Sequence, residues 1–101
     1  MAHKLRLHNI IDRHNHFKVV FFKTEITKDT PIGIEFAAKQ NGNGVIVKNI
    51  IQNSIASKKR IRRGMSLEKV NNINVNGDTM EYIMMMIKIS LHEQNRTTMI
   101  F

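Results

Sequence analysis

The sequence predicts a mainly β domain with two helices, in which five or six short strands form a partly open sandwich or barrel and one C-terminal helix closes its gap. Three observations predict it. The chain has 101 residues, 42% of them hydrophobic and 24% charged; that is enough for one thin core burying roughly 60–65% of the unfolded surface, but not for two domains around a cleft. Several short segments are rich in β-branched and aromatic residues or alternate apolar with polar, the two-residue period of a sheet. One segment alone, 79–90, carries apolar residues at spacings of three and four, and a small sheet needs such an element to cover its open side.

Residues 1–15 show no clean period and are read as an N-terminal extension, disordered or partly tag-derived, ahead of a single domain over residues 16–101. Phe17 to Thr24 reads as the first strand. After a polar stretch and Pro31-Ile32-Gly33, the residues Ile34, Phe36 and Ala38 alternate with Glu35, Ala37 and Lys39, which predicts a strand with one buried face. Asn41-Gly42-Asn43-Gly44 supplies positive φ cheaply, so the next strand, Val45 to Ile50, is expected to fold back antiparallel. Ser54 to Lys59 makes a short helix capped by Ser54 or Asn53, and Gly64 turns the chain into a strand over Ser66 to Val70. Asn71-Asn72 is a turn, Ile73 to Val75 a short strand, and Asn76-Gly77-Asp78 the next breaker. The longer helix is placed at Thr79 to Ser90, with Asp78 and Glu81 as a capping box and Met80, Ile83, Met84 and Ile87 as its apolar stripe. Ile83 and Met86 are expected in the core and Met85 outside it. Leu91 to Arg96 reads as loop and Arg96 to Phe101 as a last strand.

Composition excludes several functions. Cysteine is absent, which removes disulfide scaffolds, thiolate metal sites and thiol nucleophiles and points to a reducing, cytoplasmic compartment. The longest apolar run, Tyr82 to Ile87, is too short for a membrane span. Asp12, His14 and His16 fall at alternate positions but lack a second shell, so no metal or other cofactor is expected. Serine never stands in a matched pattern with histidine and carboxylate, and no enzyme activity is expected. The formal net charge of +8 predicts attraction to anions. It concentrates in Lys58, Lys59, Arg60, Arg62 and Arg63, a candidate patch for anionic lipid at a membrane surface. The bland alternative for that run is a solvated junction. Nucleic acid ranks below both, because aromatic residues are only 6% and a stacking platform would have little to work with.

Over Phe17 to Phe101 the sequence resembles the PDZ domains. Pro31-Ile32-Gly33-Ile34 sits where that family has its Gly-Leu-Gly-Phe type carboxylate-binding loop. Arg63 to Asn72 is similar to the family's Gly-Asp-x-Ile-Leu-x-Val-Asn-Gly segment, with Met65 for Asp, Asn72 for Gly and Glu68 at a position where an apolar residue is common. Met80 to Lys88 resembles the family's second helix.

The resemblance implies a non-catalytic adaptor or scaffold module in signalling that binds the C-termini of partner proteins by strand addition. The carboxylate loop would be Pro31, Ile32, Gly33 and Ile34, with the amides of Ile32, Gly33 and Ile34 as donors; Pro31 has no N–H. Gly33 would let the backbone approach the ligand. The groove would be lined by Phe36, Ala38, Met80, Met84 and Ile87 with Ile32 and Ile34, and its apolar walls imply an apolar last residue. The first residue of the helix selects the ligand residue two before the terminus. Met80 there favours an apolar-x-apolar ending, and a register one residue earlier puts Thr79 in that role. The basic run would serve acidic ligand residues upstream of the terminus as well as lipid. A further partner is a second copy of the chain, held through the groove or through the terminal Thr98-Met99-Ile100-Phe101.

Overall fold

The computed structural model describes residues 17–27 and 29–101; Asp12, His14, His16 and the boundary between extension and domain lie outside them. Among the described residues the order is β1 (Lys18–Phe22), a 3-10 turn (Lys23–Glu25), β2 (Ile34–Ala38), β3 (Val45–Ile50), α1 (Ile55–Lys58), β4 (Ser66–Leu67), β5 (Lys69–Val70), β6 (Ile73–Asn74), α2 (Met80–Gln94) and β7 (Arg96–Ile100). The strands form two antiparallel sheets, β1-β7-β5-β6 and β2-β3-β4. Phe21, Val45, Val47, Leu67, Val70, Ile83 and Met99 are fully buried between them, so both sheets and α2 share one core.

The Asn-Gly repeat makes the predicted hairpin. Gly42 and Gly44 take φ of 82° and 81°, and β2 pairs antiparallel with β3 from Ile34↔Ile50 to Ala38↔Val45. The Gly44 N–H donates to the Asp78 carbonyl at 2.7 Å, which fastens the hairpin to the segment that starts α2. Lys39 Nζ reaches Asn76 Oδ1 at 3.2 Å on the same side, and the Asn76 amide donates to the Glu68 carboxylate. Glu68 therefore fills its position with a polar tie. Asn71 and Asn72, both at positive φ, form the two-residue turn between Val70 and Ile73.

Four sequence expectations are corrected. The single strand over Ser66 to Val70 is divided at Glu68, because Ser66–Leu67 pairs with β3 and Lys69–Val70 with β7, one half in each sheet. The first strand stops at Phe22, where Glu25 takes the next amide and winds a 3-10 turn. The long helix begins one residue later and ends four later than expected. Thr79, not Asp78, is the N-cap, its hydroxyl accepting from Tyr82 N–H, and the helix runs through Leu91 to Gln94 before Asn95 closes it in the left-handed conformation at φ 62°. Ser90 does not stop it because its buried hydroxyl donates to the carbonyls of Ile87 and Arg96. Finally, Thr98-Met99-Ile100 cannot serve as a ligand tail: β7 is paired on both sides and Met99 is fully buried.

At the free edge of β1 the Glu25 carboxylate accepts from the Phe22 N–H at 2.9 Å and from Lys59 Nζ at 3.1 Å. The Phe22 amide, together with Lys59, outweighs desolvation and holds the carboxyl below its ordinary value of 4.5. A depressed folded pKa gives stability that is present above that ordinary value and lost as pH falls through the folded one. Urea midpoints measured at roughly pH 6 and pH 3 are therefore expected to drop further in the wild type than in Glu25→Gln; equal drops would remove Glu25 from the acid response.

Candidate functional site

The turn entering β2 is organised by where its carbonyls go. The Ile32 carbonyl accepts from Ala56 N–H at 2.9 Å and the Gly33 carbonyl from Ile51 N–H at 2.9 Å. In a trans peptide the N–H points opposite to the C=O of the same unit, so the amide of Gly33 faces away from α1 and that of Ile34 away from the end of β3. No acceptor meets the amides of Ile32 and Gly33 among the described residues. Donors left open in this way make the turn a candidate anion site.

Among the described residues β2 is an edge strand, paired with β3 on one side only. Its inward bonds are located by Gly33 to Ile51 at one end and by Lys39 N–H to the Gly44 carbonyl at 3.1 Å at the other. One extra residue in β3, Lys48, is accommodated between Glu35↔Asn49 and Phe36↔Val47. Antiparallel pairing alternates, so Glu35 and Ala37 bond to β3 while the main-chain groups of Ile34, Phe36 and Ala38 face the open side. Such an edge is a template for another strand.

α2 lies against β2. Ile32, Ile34, Phe36, Met80 and Met84 are all half-buried and packed on the core, which makes them the candidate lining of a furrow between strand and helix. Two predicted groove residues sit differently. Ile87 is only 7% exposed and belongs to the floor rather than the wall. Ala38 is exposed, because its short side chain lies at the open edge and solvent reaches it from the unpaired side. Met80 is the first helical residue, and Thr79 spends its hydroxyl on the cap. Ile83 is buried, Met86 is half-buried and Met85 is exposed, as expected.

Gly33 has a role beyond the one expected of it. Its φ is +88°, and a Cβ there would overlap the Ser54 side chain. Ser54 is the buried N-cap of α1, accepting from Ser57 N–H at 3.3 Å. The glycine thus lets the turn seat directly on the start of α1. The signal in the sequence was Ser54 as a cap; its contact with the loop was not readable.

The basic run divides. Lys59 turns inward, paired with Glu25 and lying 5.7 Å from the centroid of the Phe21 ring. Lys58, Arg60, Arg62 and Arg63 are exposed, with Arg60 at φ 68°. None of the four makes an ion pair among the described residues.

No family model matches the chain, and no curated protein matches it. Solved structures do. The chain is similar to the second PDZ domain of Dlg1 from the choanoflagellate Monosiga brevicollis, with a TM-score of 0.67 and 16% identity over 85% of this chain and 96% of that one. The fold is that of PDZ domains. A choanoflagellate GIPC PDZ domain bound to GAIP peptide gives a TM-score of 0.67 and 21% identity over 85% and 87% of the two chains. The first PDZ domain of dmPar3, in complex with the dmPar6 PBM, gives 0.63 and 19% over 81% and 88%. The resemblance read from the sequence is thereby carried to the fold.

Replacing Gly33 by Ala in this PDZ fold is expected to cost about 1–3 kcal/mol in urea unfolding, from positive φ and from overlap with Ser54. Ser54→Gly made on top of it should restore the overlap part and leave the backbone part, a coupling readable in a double-mutant cycle. Additive losses would show that the two residues do not meet.

Proposed function

We propose that the domain binds the C-terminal ends of other proteins and has no chemistry beyond binding. The observation that carries this reading is the open edge of β2 facing α2, with the amides of Ile32 and Gly33 at its start meeting no acceptor among the described residues. A peptide laid antiparallel along Ile34, Phe36 and Ala38 would complete their main-chain hydrogen bonds, and side chains at alternate positions would enter the furrow. The chain-end carboxylate would lie on the amides of Ile32, Gly33 and Ile34, where charge-assisted bonds are worth about 1.5–3 kcal/mol each. Complexes with peptide among similar PDZ structures support the reading in general terms.

The ligand class follows from the lining. The last side chain would rest among Ile32, Ile34, Phe36 and Met84 over Ile87, an apolar surround. At about 0.8 kcal/mol per buried methylene, truncating a terminal Leu to Ala, which removes three carbons, should weaken binding about fiftyfold. Met80 offers no strong hydrogen-bond donor, so the ligand residue two before the end should also be apolar. In the cell such a module would act as an adaptor or signalling scaffold in the cytoplasm.

Fluorescence anisotropy with a short peptide ending apolar-x-apolar is expected to show saturable binding. Its C-terminally amidated twin should bind at least about tenfold more weakly, through loss of the charge on the loop. Equal affinity of the two peptides would refute carboxylate recognition. Met80→His is expected to shift preference toward Thr at the second-from-last position; an unchanged preference would remove Met80 as the selector.

A further inference from the structure

The solvent side of α2 is apolar where an amphipathic helix is ordinarily polar. Tyr82, Met85 and Ile89 are each 48% exposed, and at about 100° per residue they fall within one narrow stripe turned away from the buried Ile83 and Ile87. Ile73, on the edge strand β6, is 55% exposed and adjoins the stripe at its N-terminal end. With Tyr82 it lines a depression of about 560 Å³ that Gly77, Asp78 and Thr79 complete. Four of the six large apolar residues exposed in the described part of the chain thus share one face, the mark of an interaction surface.

The spacing is that of a helix pair. Met85 follows Tyr82 by three residues and Ile89 follows Met85 by four, the a and d positions of a heptad, and Glu81 and Lys88 then both fall at g. When such a helix packs antiparallel on its own copy, the two-fold axis keeps each flank on its own side, so g faces g. Glu81 therefore meets Lys88 of the second copy, twice over. An axis passing between Tyr82 and Met85 sets each of those two on the other and brings the Glu81–Lys88 pairs within about 3 Å along the helix. The same axis puts Ile89 level with residue 78 of the second copy, where the depression beside Ile73 and Tyr82 lies open. Neither Glu81 nor Lys88 has an ion-pair partner among the described residues.

Charge selects a second copy over an anionic occupant. The chain carries +8 overall, yet residues 78–93 hold three of its eight acids, Asp78, Glu81 and Glu93, against one lysine and one histidine. Two like-charged chains meet with least repulsion on this face, and a polyanion gains least there. We infer that the domain forms a symmetric dimer through the outer face of α2, with Tyr82, Met85 and Ile89 packed across the axis and Glu81 paired with Lys88 of the other copy. Met80 and Met84 lie off this stripe, so both furrows stay open in the dimer and the inference does not rest on what they bind.

Sedimentation equilibrium of the full chain over roughly 10 µM to 1 mM tests it. The apparent mass is expected to rise from 11.7 kDa toward twice that value as concentration rises. Met85→Glu places like charges beside the axis and should keep the chain monomeric. Met85 is exposed, so the fold should survive, and an unchanged melting curve at the lowest concentration checks this. Lys88→Glu should weaken association several-fold. Glu81→Lys/Lys88→Glu should restore it, because the exchanged charges still pair across an antiparallel axis. Saturation with an apolar-ended peptide should leave the dimer intact. A monomer at every concentration, a dimer that survives Met85→Glu, no rescue by the double exchange, or dissociation by peptide would each overturn the inference.

Discussion

The site depends on the direction in which one strand spends its hydrogen bonds. β2 gives the main-chain groups of Glu35 and Ala37 to β3 and turns those of Ile34, Phe36 and Ala38 outward. Two bonds fix that choice, Ile51 to Gly33 at one end and Lys39 to Gly44 at the other. A slip of one residue would exchange the two sets and move Ile34 and Phe36 to the opposite face. The extra residue Lys48 lies in β3, so the alternation of β2 itself is undisturbed. An unpaired edge is ordinarily an aggregation hazard. Here it lies beside α2, which shields part of it.

The neighbouring elements hold this edge in place. The carbonyls of Ile32 and Gly33 are drawn toward α1 and the end of β3, which turns the next amides away from those two elements. Gly44 and Asn76 couple the hairpin to the segment ahead of α2, so strand and helix are positioned together. Glu68 joins that network through Asn76 and marks the point where the chain passes from one sheet to the other. Elsewhere, Lys59 and Glu25 link the end of α1 to the turn after β1, and the same carboxylate occupies an outward amide of β1.

Much of this was readable from local pattern. Asn41 to Gly44 specified the hairpin because Gly42 and Gly44 take positive φ without steric cost. The Met80-Ile83-Met84-Ile87 stripe specified the helix, since its spacing has one structural solution. What local pattern could not carry was tertiary. Leu91 to Gln94 looks like loop because His, Glu and Gln follow Leu91, yet Ser90 bonds back across the helix end and Asn95 supplies the left-handed cap. Gly33 reads as a position for ligand approach, whereas its Cβ space is taken by Ser54, twenty-one residues away in the chain. Ile87 shares the helical stripe with Met80 and Met84, but periodicity does not separate the wall of a furrow from its floor.

Amide hydrogen exchange along β2, followed by NMR in the free protein and with a saturating apolar-ended peptide, addresses the outward-facing edge most directly. Glu35, Ala37 and Lys39 should be protected in both states, while Ile34, Phe36 and Ala38 exchange quickly when free and become protected on binding. Protection of Phe36 and Ala38 in the free protein, or their continued rapid exchange in the complex, would contradict strand addition at this edge.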